Sequence, residues 1–347
     1  MEKPDRKGVR KVKFSIIIPV YNCERTLEDC VNGLLNQTFD DYEIVLMDDG
    51  SKDNSFKICE EIAAKNSKVK VFHQENQGSG PARNNALQKA CGDYVVFCDA
   101  DDFYEQNSLE IFNEAIEKYN ADLYVTAYNE FEYKNGEKRI CNTKNIKEEF
   151  FEGEKVFQEY ERLHRGGFIT APWGKAYKRS IIVDNEICFP ELRRCQDVVF
   201  NLRYYSHINS VCCIDKVTYN YQTPDGMTYL KKFPKDMYEI NKTVYGLIRE
   251  KMIEWGCYDT KTEAYLNTRF VKDAAILLRL NLQNNWNLSK EEQKQFSKNI
   301  LADAELERAL KTKASGKINE LIRKVLRTKN IALVNLFNKM ILFYQNF

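Results

Sequence analysis

Three carboxylates follow a short apolar run in the stretch VVFCDADDFY, residues 95–104. Asp99 and Asp101 form a D-x-D pair, and Asp102 comes directly after them. Mg²⁺ and Mn²⁺ take oxygen ligands, and Mg²⁺ sites often combine one or two carboxylates with phosphate oxygens. The alternative is a solvated loop that caps the next helix, a role that suits Asp102 because carboxylates favour helix N-termini. The pair therefore predicts a metal and phosphate site, with Asp102 outside it.

Other polar residues occur where a nucleotide could use them. Asp48 and Asp49 lie in VLMDDGS, where a carboxylate can accept a hydrogen bond from a base or ribose. A simple turn is the alternative there, because Gly and Ser follow. Tyr21 could offer its ring face to a flat base, and Arg83 supplies a forked cation for phosphates. No G-x-G-x-x-G fingerprint follows the first predicted strand, which argues against a nicotinamide oxidoreductase.

Buried strands must position these residues, and the sequence predicts five of them, alternating with helices. Their continuous apolar runs favour burial on both faces, so we expect a doubly wound α/β fold with a mainly parallel sheet. Ligands bind such sheets beyond the carboxyl ends of the strands, where the polar residues fall. Pro19 is expected to end the first strand, because proline lacks the donor that a central ladder needs. The predicted strands are 14–18, 43–47, 69–73, 93–98 and 122–128, and the predicted helices include 54–65 and 107–119.

Composition excludes several classes of protein. The 347 residues carry a formal net charge of +1, so no global field would recruit nucleic acid or a membrane, and any basic partner site must be local. The 11 cysteines show no paired C-x-x-C spacing, and the three histidines are far apart, which argues against a zinc site. Such cysteines favour free thiols in a reducing cytoplasm. The N-terminus has no signal-peptide pattern, and no apolar run is long enough to predict a membrane span.

Several motifs occur together in an order that resembles one known family. The resemblance is to the family 2 glycosyltransferases of GT-A fold, and it covers residues 12–130. It rests on SIIIPVYNCERTLEDCVNGLLNQTFDDYEIVLMDDGSKDNS, ENQGSGPARNNAL and GDYVVFCDADD. APWGKAYKRSII and RCQDVVF extend the resemblance more loosely to about residue 222. The rest of the chain carries no motif of the family.

The resemblance implies a role for each matching residue. Members of this family transfer a sugar from a nucleotide diphosphate sugar to an acceptor and invert the anomeric carbon. Asp101 would ligate a Mn²⁺ or Mg²⁺ ion that bridges the diphosphate, and Asp99 would hold the ribose side and be the second metal ligand. Asp49 would bind the base, usually uracil. The other donor-site residues implied by the motifs are Pro19 and Tyr21 at the base, Asn76 and Arg83 along the nucleotide, and Ala100 between the two acids.

The family places its general base in a later motif. An acceptor hydroxyl is a poor nucleophile and needs a base, which in the family is usually the Asp of a Glu–Asp pair. The matching residues are Gln196 and Asp197, so Asp197 is the expected base. We expect Gln196 to depress the pKa of the base relative to a paired carboxylate, or to alter how the acceptor is held. Trp173, near Lys175 in PWGKAYKR, could stack on an acceptor sugar or belong to the core.

The expected organisation is a tail, one catalytic domain and a helical extension. The tail covers 1–12, the GT-A domain 13–235 and the helical region 236–347. Within the domain, 13–130 would bind the nucleotide sugar, and 131–235 would contain the acceptor and catalytic half.

The last segment, 317–347, has apolar residues at helical spacing, among them Ile318, Leu321 and Leu326. It carries six basic residues against one acid, Glu320. This pattern predicts a basic amphipathic helix, which could lie on an anionic membrane surface or pack on the domain or on a second subunit.

These features predict an inverting, metal-dependent hexosyl- or N-acetylhexosaminyltransferase with a UDP-linked donor. Its acceptor would be a glycan or a polyprenyl diphosphate-linked glycan in surface polysaccharide synthesis, and it would work in the cytoplasm or at the inner face of the membrane. A nucleotidyltransferase is one alternative, but it would normally show a glycine- and basic-rich loop where this chain has PVYNCERT. Another is a catalytically degenerate nucleotide-sugar-binding partner of a second transferase, for which Gln196 would be the sign.

Overall fold

The computed structural model divides the chain into two compact units, Met1–Thr223 and Pro224–Phe347. The predicted boundary at residue 235 lies within the second unit, because the last strand of the sheet already ends at Gln222. The predicted tail lies outside the described residues except for Val12. The structure describes residues 12–134, 137–223, 230, 232–314 and 316–345.

A single sheet forms the centre of the first unit. Its strands among the described residues are β1 (Phe14–Val20), β2 (Tyr42–Asp48), β3 (Val69–His73), β4 (Tyr94–Phe97), β5 (Phe103–Tyr104), β6 (Leu123–Lys134), β7 (Glu137–Lys144), β8 (Glu149–Glu152), β9 (Lys175–Lys178) and β10 (Ser210–Gln222). Their order is β3-β2-β1-β4-β9-β6-β10-β5, with β7 paired to β6 and β8 paired to β10.

The first half of the sheet is parallel. Strands β3, β2, β1 and β4 pair in that order, and every residue of β2 and β4 is buried. Because successive side chains of a strand point to opposite faces, this burial shows that both faces are covered. The doubly wound α/β class is thereby confirmed. The helices of this unit are α1 (Leu27–Leu35), α2 (Ser55–Lys65), α3 (Ser79–Lys89), α4 (Ser108–Tyr119), α5 (Glu154–Gln158), α6 (Tyr160–Gly166), α7 (Arg179–Asp184) and α8 (Gln196–Tyr205).

Strand β1 continues through Pro19, so the prediction that this proline ends the strand was wrong. Pro19 lies opposite Met47 of β2, whereas the pairing of β1 with β4 stops at Ile17. The missing N–H of Pro19 therefore breaks no ladder bond to β4. A proline is tolerated in a central strand where it lies past the end of one neighbouring ladder.

The second half of the sheet is mixed. Strands β6 and β10 pair in parallel, while β9 runs antiparallel to both β4 and β6, and β5, β7 and β8 are antiparallel to their neighbours. Polar side chains join β6 to β10 inside the core. The hydroxyls of Thr126 and Thr218 lie 2.6 Å apart, and Asn129 Nδ2 donates to Asn220 Oδ1 at 3.0 Å. These bonds satisfy polar groups that burial would otherwise penalise.

The second unit is helical. Its helices with bounds among the described residues are α9 (Met237–Glu254), α10 (Thr260–Leu282), α11 (Lys290–Ala302), α12 (Ala304–Lys311), α13 (Lys317–Arg327) and α14 (Ile331–Gln345). The long helix α10 packs against each of the other five. Three helices begin at side-chain caps that accept from backbone N–H groups, namely Asp259, Ser289 and Asp303. None of the described helices combines the length and the apolar character needed to cross a bilayer.

The predicted amphipathic helix over 317–347 is in fact two helices. The chain breaks between α13 and α14, where Lys329 has a φ of +53°. Of the apolar residues that suggested a surface helix, Ile322, Val325 and Leu326 are buried. The apolar side of α13 is therefore largely used for packing within the second unit.

Candidate active site

Asp48 is the last residue of β2, and Asp49 is the first residue after it. Both carboxylates hold loops in place. Asp48 is fully buried, accepts from the N–H groups of Gly50 and Ser51, and lies 2.7 Å from His73 Nδ1. The turn predicted as the alternative for this stretch is therefore present. Asp49 is 2% exposed and accepts from Gln74 Nε2 at 2.7 Å.

Asp49 also anchors the loop between β3 and α3. Its carboxylate accepts from the backbone N–H groups of Gln77 at 2.9 Å and Gly78 at 2.8 Å. Asn76 Nδ2 donates to the carbonyl of Asp49 at 3.0 Å. Gly50 has a φ of +71°, and a Cβ there would lie 2.8 Å from Asn76 N, so only glycine fits the close approach. Asp49 and Asn76 are thus brought together, and the Asp49 oxygens predicted to bind a base already hold this loop.

The end of β1 is tied to the same loops. The backbone N–H of Asn22 donates to Ser51 Oγ at 3.1 Å, and Asn22 Oδ1 accepts from Lys52 N at 2.8 Å. Pro19, three residues earlier in β1, is half-buried. Tyr21 is 46% exposed, so its ring is available to a ligand.

Arg83 joins two carboxylates that are far apart in sequence. It extends from α3, is 4% exposed, and donates from Nη2 to Asp99 Oδ1 at 2.6 Å. Its Nη1 donates to Asp197 Oδ1 at 3.1 Å, and the guanidinium lies over the ring of Phe189 at 5.4 Å. One buried cation therefore connects the predicted donor-side acid with the predicted base.

The three acids after β4 separate into different environments. Asp102 is 1% exposed and accepts from Tyr219 Oη at 2.6 Å and from the N–H of Gln222 at 2.7 Å, so it fixes the loop to β10. Burial raises the pKa of Asp102, and the negative charges of Asp99 and Asp101 raise it further. Asp99 is partly exposed and Asp101 is exposed, while Ala100 between them is buried. Asp102 therefore steadies its loop, and the suggestion that it caps the next helix was wrong, because the N-cap of α4 is Asn107.

The donor set can be tested against the metal that the resemblance implies. No group of three or more His, Cys, Asp and Glu side chains within the described ranges forms a ready-made metal cage. Asp99 and Asp101 offer carboxylate oxygens two residues apart at the open end of the sheet. Mg²⁺ is commonly held by one or two carboxylates together with water and substrate phosphates. The residues therefore fit a cation that arrives with a diphosphate.

Asp197 lies in the first turn of α8, with its side chain 37% exposed. Burial raises the pKa of Asp197, Arg83 opposes that change, and the charge of Asp99 adds to it. A carboxylate with a raised pKa is a stronger base, which suits proton abstraction from a hydroxyl. The position and the pKa shift of Asp197 both fit the predicted role.

Gln196 points away from that chemistry. Its Oε1 accepts from Ser79 Oγ at 3.3 Å, and its amide donates to the carbonyl of Leu192. The side chain covers Gly80, where an added Cβ would meet Gln196 Oε1 at 2.8 Å. Gln196 therefore connects the start of α8 to the start of α3.

Lys175 is a buried lysine that holds two backbone carbonyls, and the sequence did not predict this. It is 2% exposed, and its Nζ donates to the carbonyls of Ala171 at 2.8 Å and Trp173 at 2.9 Å. Burial lowers the pKa of Lys175 to about 7, and the charge of Asp197 opposes that shift. The available signal was a lysine at the start of the short strand β9, whose first three residues are buried. Trp173 is 7% exposed and stacks on Tyr219 with the ring centroids 4.7 Å apart, so its indole belongs to the core.

Comparison with known proteins shows that part of the sequence matches a known family. Residues 15–184 match the family model described as Glycosyl transferase family 2. A glycosyl transferase family 2 domain is therefore identified over residues 15–184. The match covers every residue predicted for the donor site and stops before Asp197. The family resemblance found in the sequence is thus confirmed.

Curated relatives of this family 2 glycosyltransferase come from several bacteria. It is 31% identical over 217 residues to Glycosyltransferase GlyA of Streptococcus pneumoniae, covering 62% of this chain and 31% of GlyA. It is 31% identical to Putative glycosyltransferase EpsH of Bacillus subtilis, covering 67% of this chain and 66% of EpsH. It is 27% identical to the poly(ribitol-phosphate) beta-N-acetylglucosaminyltransferase TarS of Staphylococcus aureus, covering 75% of this chain and 44% of TarS. The chain thus spans less than two thirds of the length of each of these three relatives.

Solved structures show the fold. The crystal structure of S. aureus TarS 1–349 in complex with UDP matches with a TM-score of 0.64 at 23% identity, covering 96% of this chain and 92% of that one. The same TarS fragment in complex with UDP-GlcNAc matches equally, with a TM-score of 0.64. The family 2 transferase therefore has the predicted GT-A fold with a helical C-terminal region.

Proposed function

We propose that the chain is an inverting glycosyltransferase that transfers a sugar from a UDP-linked donor to a hydroxyl of a glycan acceptor. The observation that carries the proposal is the placement of Arg83, which joins Asp99 of the D-x-D pair to Asp197 at the start of α8. Such a contact places a donor-side carboxylate and a candidate base at one site. The glycosyl transferase family 2 domain supports the same reaction class.

The reaction needs a base that removes a proton from the acceptor hydroxyl and a positive charge that stabilises the departing diphosphate. The acceptor oxygen attacks the anomeric carbon while the bond from that carbon to the diphosphate breaks, and the electron pair leaves with UDP. Asp197 accepts the hydroxyl proton as the new bond forms, and attack from the face opposite the leaving group inverts the carbon. A divalent cation, when bound, would offset the charge that develops on the diphosphate.

Different residues on the donor side would contact different parts of the nucleotide. Asp101 and Asp99 would hold the cation, and the exposed ring of Tyr21 could cover the base. Pro19 and the loop fixed by Asp49 and Asn76 would form the wall beside it. Support for a uridine nucleotide comes from TarS, whose solved structures include UDP and UDP-GlcNAc complexes on the same fold.

The acceptor is proposed from the relatives. TarS is described as a poly(ribitol-phosphate) beta-N-acetylglucosaminyltransferase, and another relative as a cholesterol galactosyltransferase from Borreliella burgdorferi. One of these relatives is thus named for a polymer acceptor and the other for a lipid acceptor, and we infer a glycan or polyprenyl-linked acceptor in surface polysaccharide synthesis. A site of action in the reducing cytoplasm is proposed from the scattered spacing of the 11 cysteines in the sequence.

Gln196 gives no support to a degenerate partner subunit. Its side chain contacts Ser79 and Gly80 of α3, so the loss of a charge there does not remove the base. Asp197, Arg83 and Asp99 remain connected as a working site would require.

A donor screen tests the proposal. The chain is incubated with a panel of UDP-sugars, with and without Mn²⁺, and UDP release and thermal stabilisation are measured. We expect one donor to be hydrolysed slowly and Asp197→Asn to lower that rate at least about 100-fold while UDP still stabilises the protein. Asp101→Asn should abolish the Mn²⁺-dependent part of UDP stabilisation. Asp184→Asn, an exposed acid at the end of α7, is the matched control. Unchanged UDP release in Asp197→Asn would overturn the assignment of the base.

A further inference from the structure

Helix α14 carries an apolar stripe on its outer side. Leu333, Leu336, Met340 and Phe343 are 40%, 58%, 52% and 61% exposed. Their spacing of three, four and three residues places them on one side of the helix. Val334, which is 2% exposed, lies on the opposite side and packs within the unit. A surface helix normally turns polar residues to water, so a second apolar side requires another explanation.

The same end of the chain is strongly basic. Residues 311–345 contain eight basic residues and one acid, Glu320, although the whole chain has a formal net charge of only +1. Two of the cations are paired, Arg323 with Glu320 and Lys329 with Glu307. The other six form no salt bridge to any described residue, and all are exposed: Lys311, Lys313, Lys317, Lys324, Arg327 and Lys339.

We propose that the stripe on α14 and these six cations, the C-terminal patch, bind peripherally to an anionic lipid bilayer. Apolar side chains of an interfacial helix enter the boundary between headgroups and acyl chains, while basic side chains remain at the anionic headgroups. Each Lys or Arg near such a surface adds to the attraction. The patch offers both components on a short segment.

A second copy of the chain is a poorer occupant. Pairing two α14 stripes would bring two segments, each with eight basic residues and one acid, against each other. Like charges close together repel, and Glu320 in each copy is already paired with Arg323. An anionic bilayer supplies the opposite charge that a second copy lacks.

Liposome flotation of the full chain tests the proposal without donor or acceptor, so its outcome is separate from that of the transfer reaction. Vesicles of phosphatidylcholine alone are compared with vesicles containing three parts in ten of phosphatidylglycerol. We expect binding to the anionic vesicles only, and loss of most of it at high salt because surface electrostatics are screened.

Two double variants address the two components. Leu336→Ser/Met340→Ser and Lys324→Gln/Arg327→Gln should each weaken vesicle binding more than tenfold. The matched controls are Leu247→Ser/Ile253→Ser, which removes exposed apolar side chains of α9, and Lys294→Gln/Lys298→Gln on α11. Circular dichroism and UDP stabilisation should be unchanged in all four.

Three outcomes would overturn the proposal. The first is equal binding, or equal absence of binding, with both vesicle types. The second is an equal loss of binding in the control variants. The third is a dimer seen by light scattering that Leu336→Ser/Met340→Ser dissociates, with no vesicle binding by the wild type, which would assign the stripe to self-association.

Discussion

Replacing Arg83 by methionine would leave two carboxylates without their shared cation. Arg83 is 4% exposed, whereas the side chains of Asp99 and Asp197 are 30% and 37% exposed. Removing one partner of a fully buried ion pair costs about 3–5 kcal/mol. Because both acids are about one third exposed, solvent screens part of the loss, and we expect about 2 kcal/mol of unfolding free energy.

The loss should depend on pH with a defined sign. Burial already raises the pKa of Asp197, and Arg83 opposes that rise. Without the cation the pKa of Asp197 increases further. The loss of stability in Arg83→Met is therefore larger at pH 8 than at pH 4.5, because Asp197 takes up a proton as the pH falls.

Urea unfolding at both pH values measures this difference in stability. The pH profile of UDP release measures the effect of the same substitution on the pKa of the base. A base must be deprotonated to act, so the acid limb of kcat/KM should move to higher pH in Arg83→Met. Arg203→Met is the control, because Arg203 is an exposed arginine of α8 that bonds the carbonyl of Cys188. Equal destabilisation at pH 4.5 and pH 8, together with an unmoved acid limb, would refute the proposed coupling.

Three further substitutions test other contacts. Burial lowers the pKa of Lys175 to about 7 from a usual 10.5, so the unfolded chain binds more protons between these values and stability from this group rises with pH. Wild type should gain about 2 kcal/mol relative to Lys175→Met between pH 7 and pH 9 in urea unfolding, and parallel curves would contradict this. Asp102→Ala leaves the hydroxyl of Tyr219 and the N–H of Gln222 without an acceptor, so it should cost about 2–4 kcal/mol in the same assay, and Asp102→Asn less than half of that. Gln196→Glu should change kcat/KM less than about threefold because the side chain contacts α3, and a tenfold gain would show that the amide limits the base.

The parallel half of the sheet could be predicted because its signals are local. The predicted strand 69–73 coincides with β3, and the predicted helices 54–65 and 107–119 differ from α2 and α4 by one residue at their starts. Continuous apolar runs determine burial on both faces, and the polar residues that follow must then lie at one edge. The D-x-D pair and Arg83 could be placed near each other for this reason.

The mixed half could not be predicted, because its pairings depend on partners distant in sequence. Strand β9 lies between β4 and β6, and no local pattern in KAYK specifies either neighbour. The hydrogen bonds of Asp49 to Gln77 and Gly78 could not be predicted for the same reason. Their donors are backbone N–H groups, which every residue except proline has, so the residue types do not indicate them. The outward stripe of α14 was missed because apolar residues fall on both sides of that helix.

The three loops around Asp49 have a consequence for how tightly a nucleotide can bind. The N–H of Asp49 donates to the carbonyl of Val20, its side chain holds Gln77 and Gly78, and Gly50 lies against Asn76. Fixing the backbone of one residue requires about 1–2 kcal/mol of conformational entropy. Here that entropy is lost when the chain folds and need not be lost again when the ligand arrives. A nucleotide would meet a preorganised wall, and more of its contact energy would remain as affinity.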